Sequence, residues 1–362
     1  MEAAFDIAIV GAGMAGASLA AALAPSGARV LLLEAEERPG VHATGRSAAF
    51  WTESYGGAGV QPLTSASGAF LREGGYLSAR GALTIGPAGS EARVEAFAAE
   101  FAALGVRVDL LARDALEEVL PGLRPAWTRG ALEPDCSDID VARLHQDYLA
   151  ATRRGGAELW CRARLVQAVR NGTGWRLDLA DGREAHAGLL VNAAGAWADP
   201  VAVAAGLAPL GIAPLLRTIA QVRTAPPPPV ALPLVLDLDE RFYFKPEAGK
   251  LWLSPHDEVP SPPCDAAPEE LAVAEAIDRF ERVVDWRIEK VEHKWAGLRS
   301  FAPDRLPVYG FDVREPRFFW FAGQGGFGIQ TAPAAAELAA RLICGNAVGS
   351  VDPAPYSPAR FL

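Results

Sequence analysis

The sequence predicts an α/β chain: a Rossmann-like dinucleotide-binding domain made of separated segments, joined to an α+β substrate domain built on a mostly antiparallel sheet. Three observations carry this. An apolar run, a glycine motif, a small-residue stretch and a second apolar run follow one another within the first 34 residues. A further short apolar run ending in glycine recurs at 188–195. Between and after these lie short strand-like runs joined by turn residues, Asn171-Gly172 being a strong hairpin signal.

The first unit justifies itself residue by residue. Asp6 to Val10 reads as a buried strand, and Gly11-Ala-Gly-Met-Ala-Gly16 follows at once. Ala17 to Ala24 reads as a helix of small residues, stopped by Pro25 and Gly27. Arg29 to Leu33 is the second strand, with Glu34 at its end. Gly11 permits the tight turn, Gly13 lets backbone approach a pyrophosphate, and Gly16 lets helix pack on strand. The helix N-terminus offers N–H groups and the positive end of its dipole to phosphates. Glu34, an acid about 20 residues on, can accept both hydroxyls of an adenosine ribose and repels a 2′-phosphate, which disfavours NADP.

Residues 35–62 form a long glycine-rich connection, and ordered loops of that length tend to be functional. Residues 91–104 and 113–120 read as helices, as does Asp140 to Thr152 with Asp140 as N-cap. Glu158–Cys161, Arg164–Arg170 and Trp175–Leu179 read as strands, and Gly188–Gly195 as a buried strand ending in a turn. Arg241–Lys245 and Lys250–Ser254 read as a strand pair, Glu269–Val284 as an amphipathic helix, Arg317–Ala322 as a strand and Ala332–Cys344 as a helix behind a glycine loop. The expected division is 1–77, 141–206 and 295–362 for the dinucleotide domain, and 78–140 and 207–294 for the substrate domain.

Composition narrows the function. The net charge of −10 argues against nucleic acid as a partner. The four cysteines show no metal spacing and read as free thiols, so no metal is expected. The N-terminus has no charged stretch ahead of an apolar one, and no apolar run approaches 18 residues. A cytoplasmic location without a transmembrane segment is expected, with peripheral association at the inner membrane left open. The oligomeric state is not legible.

Five motifs occur in register: the Gly11–Gly16 unit, Thr44-Gly-Arg-Ser47, Val191-Asn-Ala-Ala-Gly-Ala-Trp197, Trp295-Ala-Gly-Leu-Arg-Ser-Phe301 and Gly323-Gln-Gly-Gly-Phe-Gly-Ile-Gln330. From about residue 4 to 345 the chain resembles the FAD-dependent D-amino-acid oxidase, glycine oxidase and sarcosine oxidase family. Within it, the chain looks most similar to bacterial flavin-dependent D-amino-acid dehydrogenases of the D-arginine dehydrogenase type.

The resemblance implies FAD as cofactor. Gly11, Gly13, Gly16 and Glu34 match its ADP-binding positions, and Arg46 and Ser47 residues along the pyrophosphate and flavin. Ala194 and Gly195 match a backbone turn near the cofactor; Gly325, Gly326, Gly328 and Ile329 match the loop and helix N-terminus facing the flavin. Arg299 matches the arginine that grips the substrate carboxylate, a task suited to the planar guanidinium fork. Arg217 matches a second arginine, Tyr243 a tyrosine meeting the carboxylate, and Tyr55 a lid residue. Each also has a plain reading: a structural arginine, a sheet aromatic, an ordinary loop residue. His42 reads as a structural hydrogen-bonder.

Two departures shape the expectation. Members with covalent flavin carry a cysteine soon after the arginine block, whereas here Ser300 to Asp304 has none, so noncovalent FAD is expected. Members selective for cationic substrates place an acid at the side-chain end of the pocket. The matching segment Ser78–Ile85 has none and contains Arg80, which weakens a preference for arginine or lysine. Phe50, Trp51, Phe242 and Phe244 are candidates for an apolar lining or for core. The implied reaction is oxidative deamination of a D-amino acid: hydride passes from Cα to flavin N5, and the imine hydrolyses to a 2-oxo acid and ammonia. The electron acceptor would be a quinone or dye rather than oxygen, because Trp252 stands where sarcosine-type oxidases carry an oxygen-activating lysine, with Lys250 one pleat away. A glycine- or sarcosine-type oxidase producing peroxide and an FAD-dependent 2-hydroxy-acid dehydrogenase are the alternatives.

Overall fold

A computed structural model describes residues 5–172, 174–346 and 348–361. Residues 1–4, on which the reading of the N-terminus and the start of the family resemblance rest, and the domain end at 362 lie outside the described residues.

An eight-stranded sheet holds the opening unit. Its centre is parallel, as buried apolar runs require when both faces are covered. Phe5–Val10 lies between Val30–Leu33 and Glu184–Asn192, and Glu158–Trp160 extends the sheet beyond Val30–Leu33. Glu184–Asn192 changes partner along its length. Its first half pairs antiparallel with Gly174–Leu179, whose hairpin partner is Leu165–Asn171, while Leu190 to Asn192 pair parallel with Phe318–Trp320. Val308–Phe311 closes that edge. Helices Met14–Leu23, Val141–Arg154 and Ala332–Ile343 cover one face. Asp140 caps its helix, accepting from Arg143 N at 3.0 Å. The carboxyl ends of four parallel strands, at Val10, Leu33, Asn192 and Ala322, open on one crevice, where ligands bind in such sheets.

The second sheet has ten strands. Its spine is the antiparallel pair Ala213–Ala225 and Arg287–Phe301, in unbroken register from Ala213 opposite Phe301 to Gln221 opposite His293, with shifts beyond at Gln221/Val222 and Arg223/Thr224. Arg287–Phe301 runs unbroken across the expected domain boundary at 294/295. Lys250–Ser254 and Tyr243–Glu247 follow as the expected pair, then Leu234–Asp237, Ala82–Pro87, Trp127–Glu133 and Asp109–Ala112. Phe242, Phe244, Leu251 and Leu253 point to the face covered by helix Glu270–Glu281. The period of two sends Leu215, Arg217, Ile219, Tyr243, Trp252, Trp295 and Arg299 to the opposite face, toward the crevice.

Residues 35–62 are less irregular than a plain loop. They hold a short turn of helix at Ala43–Arg46 and the strand Phe50–Trp51, then lead into the helix Gln61–Glu73. Phe50–Trp51 pairs with Ser137–Ile139, which also carries Leu77–Ala79, so a three-stranded sheet pins the connection. Among the described residues no helix is long and apolar enough to cross a membrane.

Gly16 shows what the tight opening demands. A Cβ there would stand 1.8 Å from the carbonyl oxygen of Gly11, a backbone atom with no room to yield. Gly16→Ala is therefore expected to cost about 1–3 kcal/mol and to lower Tm by several degrees. A thermal melt indistinguishable from wild type would show that the turn tolerates a side chain.

Candidate active site

One cavity of about 390 Å3 runs from the opening unit to the face of the second sheet. At its near end it is lined by Gly11, Gly13 and Glu34. Gly11 has φ +101°, and a Cβ on it would meet the carbonyl of Ala193 at 2.5 Å. Glu34 is buried, and its carboxylate accepts from Ala12 N at 3.2 Å and Glu36 N at 3.0 Å. Burial raises its pKa, partly offset by those two donors. Gly16 lies beneath the cavity, in the packing between helix and strand. Ser47, Ala194 and Gly195 line the middle, and Gly325, Gly326, Gly328 and Ile329 the far wall. Carboxylate, close backbone and helix N-terminus in that order form a cradle that fits an ADP group.

The substrate end gathers the two arginines. Arg217 is buried; its Nε donates to Asp257 O at 2.9 Å and its Nη2 to Glu258 at 3.4 Å, while Nη1 has no partner. Burial, reinforced by Arg299, lowers its pKa. Arg299 lines the cavity and donates from Nη1 to Tyr55 Oη at 2.5 Å. Among the described residues it has no carboxylate within ion-pair distance, whereas Arg217 and Arg305 share Glu258. Gly326 is where the guanidinium needs it: a Cβ there would touch Arg299 Nη1 at 2.6 Å. Tyr243 lines the same end, and its hydroxyl is buried without a partner. Ile219 supplies an apolar wall, and Phe50, edge-on to Tyr55 and Tyr243, lines a small adjoining pocket that shares Arg299 and Gly326.

Several residues lie elsewhere than the sequence reading placed them. Arg46 lines the cavity, but its guanidinium is spent on protein: Nε donates to Val41 O, Nη1 to Ala266 O and Ala296 O, and Nη2 pairs with Asp265. It clasps the segment 261–266 over the cavity, which brings Cys264 and Ala266 into the lining. Arg80 is turned away, paired with Asp138 at 2.7 Å and donating to Val230 O and Leu232 O. Tyr55 is buried just behind the lining and reaches it through Arg299. Helix Ala332–Ile343 does not offer its first donors to the cavity: Ala332 N donates to Ile329 O, position 333 is proline, and Ala334 N donates to Ser67 Oγ. Trp252 faces the site side but stacks edge-on with Trp295 at 5.0 Å, and Lys250 pairs with Glu292. Two others keep a reading they already had: Trp51 is core, donating to Thr64 O, and His42 is a structural hydrogen-bonder, paired with Glu36 at 2.9 Å.

The sequence reading also missed residues. Thr44 Oγ1 accepts from Met14 N at 2.9 Å, tying its motif to the opening helix. His145 Nε2 meets Ala12 O at 2.9 Å. Glu133 is buried and takes four hydrogen bonds from the loop carrying Tyr55: Thr52 Oγ1 at 2.6 Å, Glu53 N at 2.7 Å, and Ser54 N and Oγ at 3.2 and 2.5 Å. His256 meets Tyr55 Oη at 3.2 Å. Its only sequence signal was a place just past a strand of the central pair. Arg164, exposed, lines the cavity near Glu34. Among the described residues no cluster of three or more His, Cys, Asp or Glu is arranged to hold a metal.

Comparison with known proteins agrees with this geometry. The chain is 27% identical over 272 residues to hydrogen cyanide synthase subunit HcnC of Pseudomonas aeruginosa, a match covering 74% of this chain and 63% of that protein's length. Its fold is similar to glycine oxidase from Geobacillus kaustophilus, with TM-score 0.85, 24% identity and 98% of each chain covered. It is also similar to L-proline dehydrogenase from P. horikoshii, with TM-score 0.86, 20% identity, and 100% and 98% covered. The family model for FAD dependent oxidoreductases of the DAO type matches residues 6–342. With that match spanning nearly the whole chain, and with a cradle and an arginine-lined pocket that suit it, the protein belongs to the DAO family of FAD-dependent oxidoreductases.

Proposed function

We propose that the chain oxidises the Cα–N bond of a D-amino acid to an imine, which hydrolyses to the 2-oxo acid and ammonia, and that it passes its electrons to a quinone-like acceptor. The observation that carries this is Arg299, a cation at a cavity wall with no carboxylate within ion-pair distance among the described residues. An unpaired charge in such a place is costly, and a substrate carboxylate relieves it. Arg217 Nη1 and Tyr243 Oη, both unpartnered, supply further donors for the same anion. FAD, held through Glu34 and the glycine turns, supplies hydride acceptance. The chain's own part is to fix the carboxylate so that Cα stands at a set distance and angle. The D configuration rests on the five-motif resemblance.

The pocket walls bear on the substrate side chain. Phe50, Ile219 and Tyr243 are apolar or aromatic, and the nearby carboxylates Asp257 and Glu258 are engaged by Arg217 and Arg305. A small or apolar side chain fits this better than a cationic one. The same closeness favours, as a second reading, a glycine- or sarcosine-type amine oxidase.

Three tests follow from this site. Acid precipitation should release the flavin into the supernatant, since binding is read as noncovalent. Flavin retained in the pellet would overturn that and point to Cys264, the cysteine in the cavity lining. Arg299→Met should lower kcat/KM for the best D-amino acid by about 1000-fold, roughly 4 kcal/mol, with Lys restoring only part because it lacks the fork. Near-normal kinetics would remove Arg299 from the site. Stopped-flow reoxidation of the substrate-reduced protein should be slower in air than with a quinone dye. No lysine lines the cavity among the described residues, Arg217 lies beside Asp257 and Glu258, and on this reading the carboxylate of the bound substrate or product offsets Arg299. Reoxidation by oxygen at the dye rate, with stoichiometric peroxide, would favour the oxidase.

A further inference from the structure

Tyr55 and Tyr243 stand at the same end of the cavity with their hydroxyls in opposite situations. Tyr243 Oη has no partner. Tyr55 Oη has two, Arg299 Nη1 and His256 Nε2. An arginine only donates, so one lone pair of Tyr55 Oη is taken by the guanidinium. What the hydroxyl proton does depends on the tautomer of His256.

The surroundings decide that tautomer. His256 packs against the rings of Tyr55 and Tyr243 and precedes Asp257 and Glu258 in the chain. Burial holds its imidazole neutral, and the positive charges of Arg217, Arg299, Arg305 and Arg279 act in the same direction. In a neutral ring the unprotonated nitrogen is the negative end of the dipole. Nε2 is the nitrogen turned toward Tyr55 Oη and Arg299 behind it, so the lone pair belongs there and the proton on Nδ1, which has no protein partner among the described residues. The backbone at His256 has φ +54°, a left-handed conformation rare outside glycine, so strain is kept at a residue whose ring contacts are with Tyr55 and Tyr243.

We propose that His256 is a positioning residue for the carboxylate anchor: its unprotonated Nε2 accepts a hydrogen bond from the Tyr55 hydroxyl, so that Tyr55 Oη accepts from Arg299 Nη1 and holds the guanidinium with Nε and Nη2 turned to the substrate carboxylate. A hydroxyl that donates becomes a better acceptor, so the chain Arg299 to Tyr55 to His256 strengthens along its length. This rests on the reading of Arg299 as the carboxylate anchor.

The first test needs no turnover. In the FAD-loaded protein, 15N NMR should show one of the five histidines, assigned by its loss in His256→Phe, as the neutral Nδ1–H tautomer from pH 8 to 5. An Nε2–H or charged ring would overturn the proposal. The second test is a double-mutant cycle read by the flavin absorbance change on titrating propanoate, a carboxylate with no amine. His256→Phe should weaken propanoate about 10-fold, and His256→Asn, which keeps an acceptor and tolerates positive φ, should recover part of that. In the Tyr55→Phe background, His256→Phe should add less than about 2-fold. With an amino acid that reduces the flavin, His256→Phe should raise KM and leave kcat little changed. Full additivity with Tyr55→Phe, or unchanged propanoate binding, would sink the inference. If Arg299→Met also leaves propanoate binding intact, the anchor reading fails instead, whatever the histidine does.

Discussion

The register between Ala213–Ala225 and Arg287–Phe301 governs what the cavity can hold. Leu215 stands opposite Arg299, and Arg217 opposite Gly297. With a side-chain period of two, this puts both guanidiniums on the crevice face and lets the glycine leave space between them. A slip of one residue would send the Arg299 side chain to the opposite face and turn those of Leu298 and Ser300 toward the crevice. The pairing is long, and on the crevice face Trp295 packs edge-on against Trp252 of the next strand but one. Substrate chemistry is thus delegated to the second sheet, away from the opening Gly11–Gly16 unit.

The cofactor side was legible because its chemistry is local. Glycine, small helix and acid lie within one unit, and each acts where it stands in sequence. Strand and helix positions were readable for the same reason, with ends shifted by up to four residues. The long strands were harder. Arg287–Phe301 keeps no clean alternation: Glu292-His-Lys294 and Trp295-Ala-Gly-Leu298 run together, and its charged, solvated first half reads like a loop. Helix Gln61–Glu73 escaped notice because Pro62 and Gly68 interrupt its pattern, though proline is compatible with a first turn.

The partner of a side chain was not legible. Arg46 sits in a glycine-rich motif as an anion ligand would, yet apart from Val41 O its guanidinium partners are 219 to 250 residues away, on segments whose approach only the fold decides. Arg80 lies in the right segment, and Asp138 claims it. His256 lacked any motif; its meaning comes from Tyr55, 201 residues earlier. Residue type and spacing announce a backbone-built site well, and one made of long-range side-chain contacts poorly.

The clamp at Glu133 bears on how a ligand gets in. Its two oxygens hold four donors from Thr52, Glu53 and Ser54, directly before Tyr55. Hydrogen bonds to a charged group contribute about 1.5–3 kcal/mol each, so freeing the loop would cost a good part of a domain's whole stability. Tyr55 is therefore a wall and not a door. Traffic must pass at another point of the rim, where the 261–266 segment is fastened mainly by Arg46, whose acidic partner Asp265 is exposed at the surface.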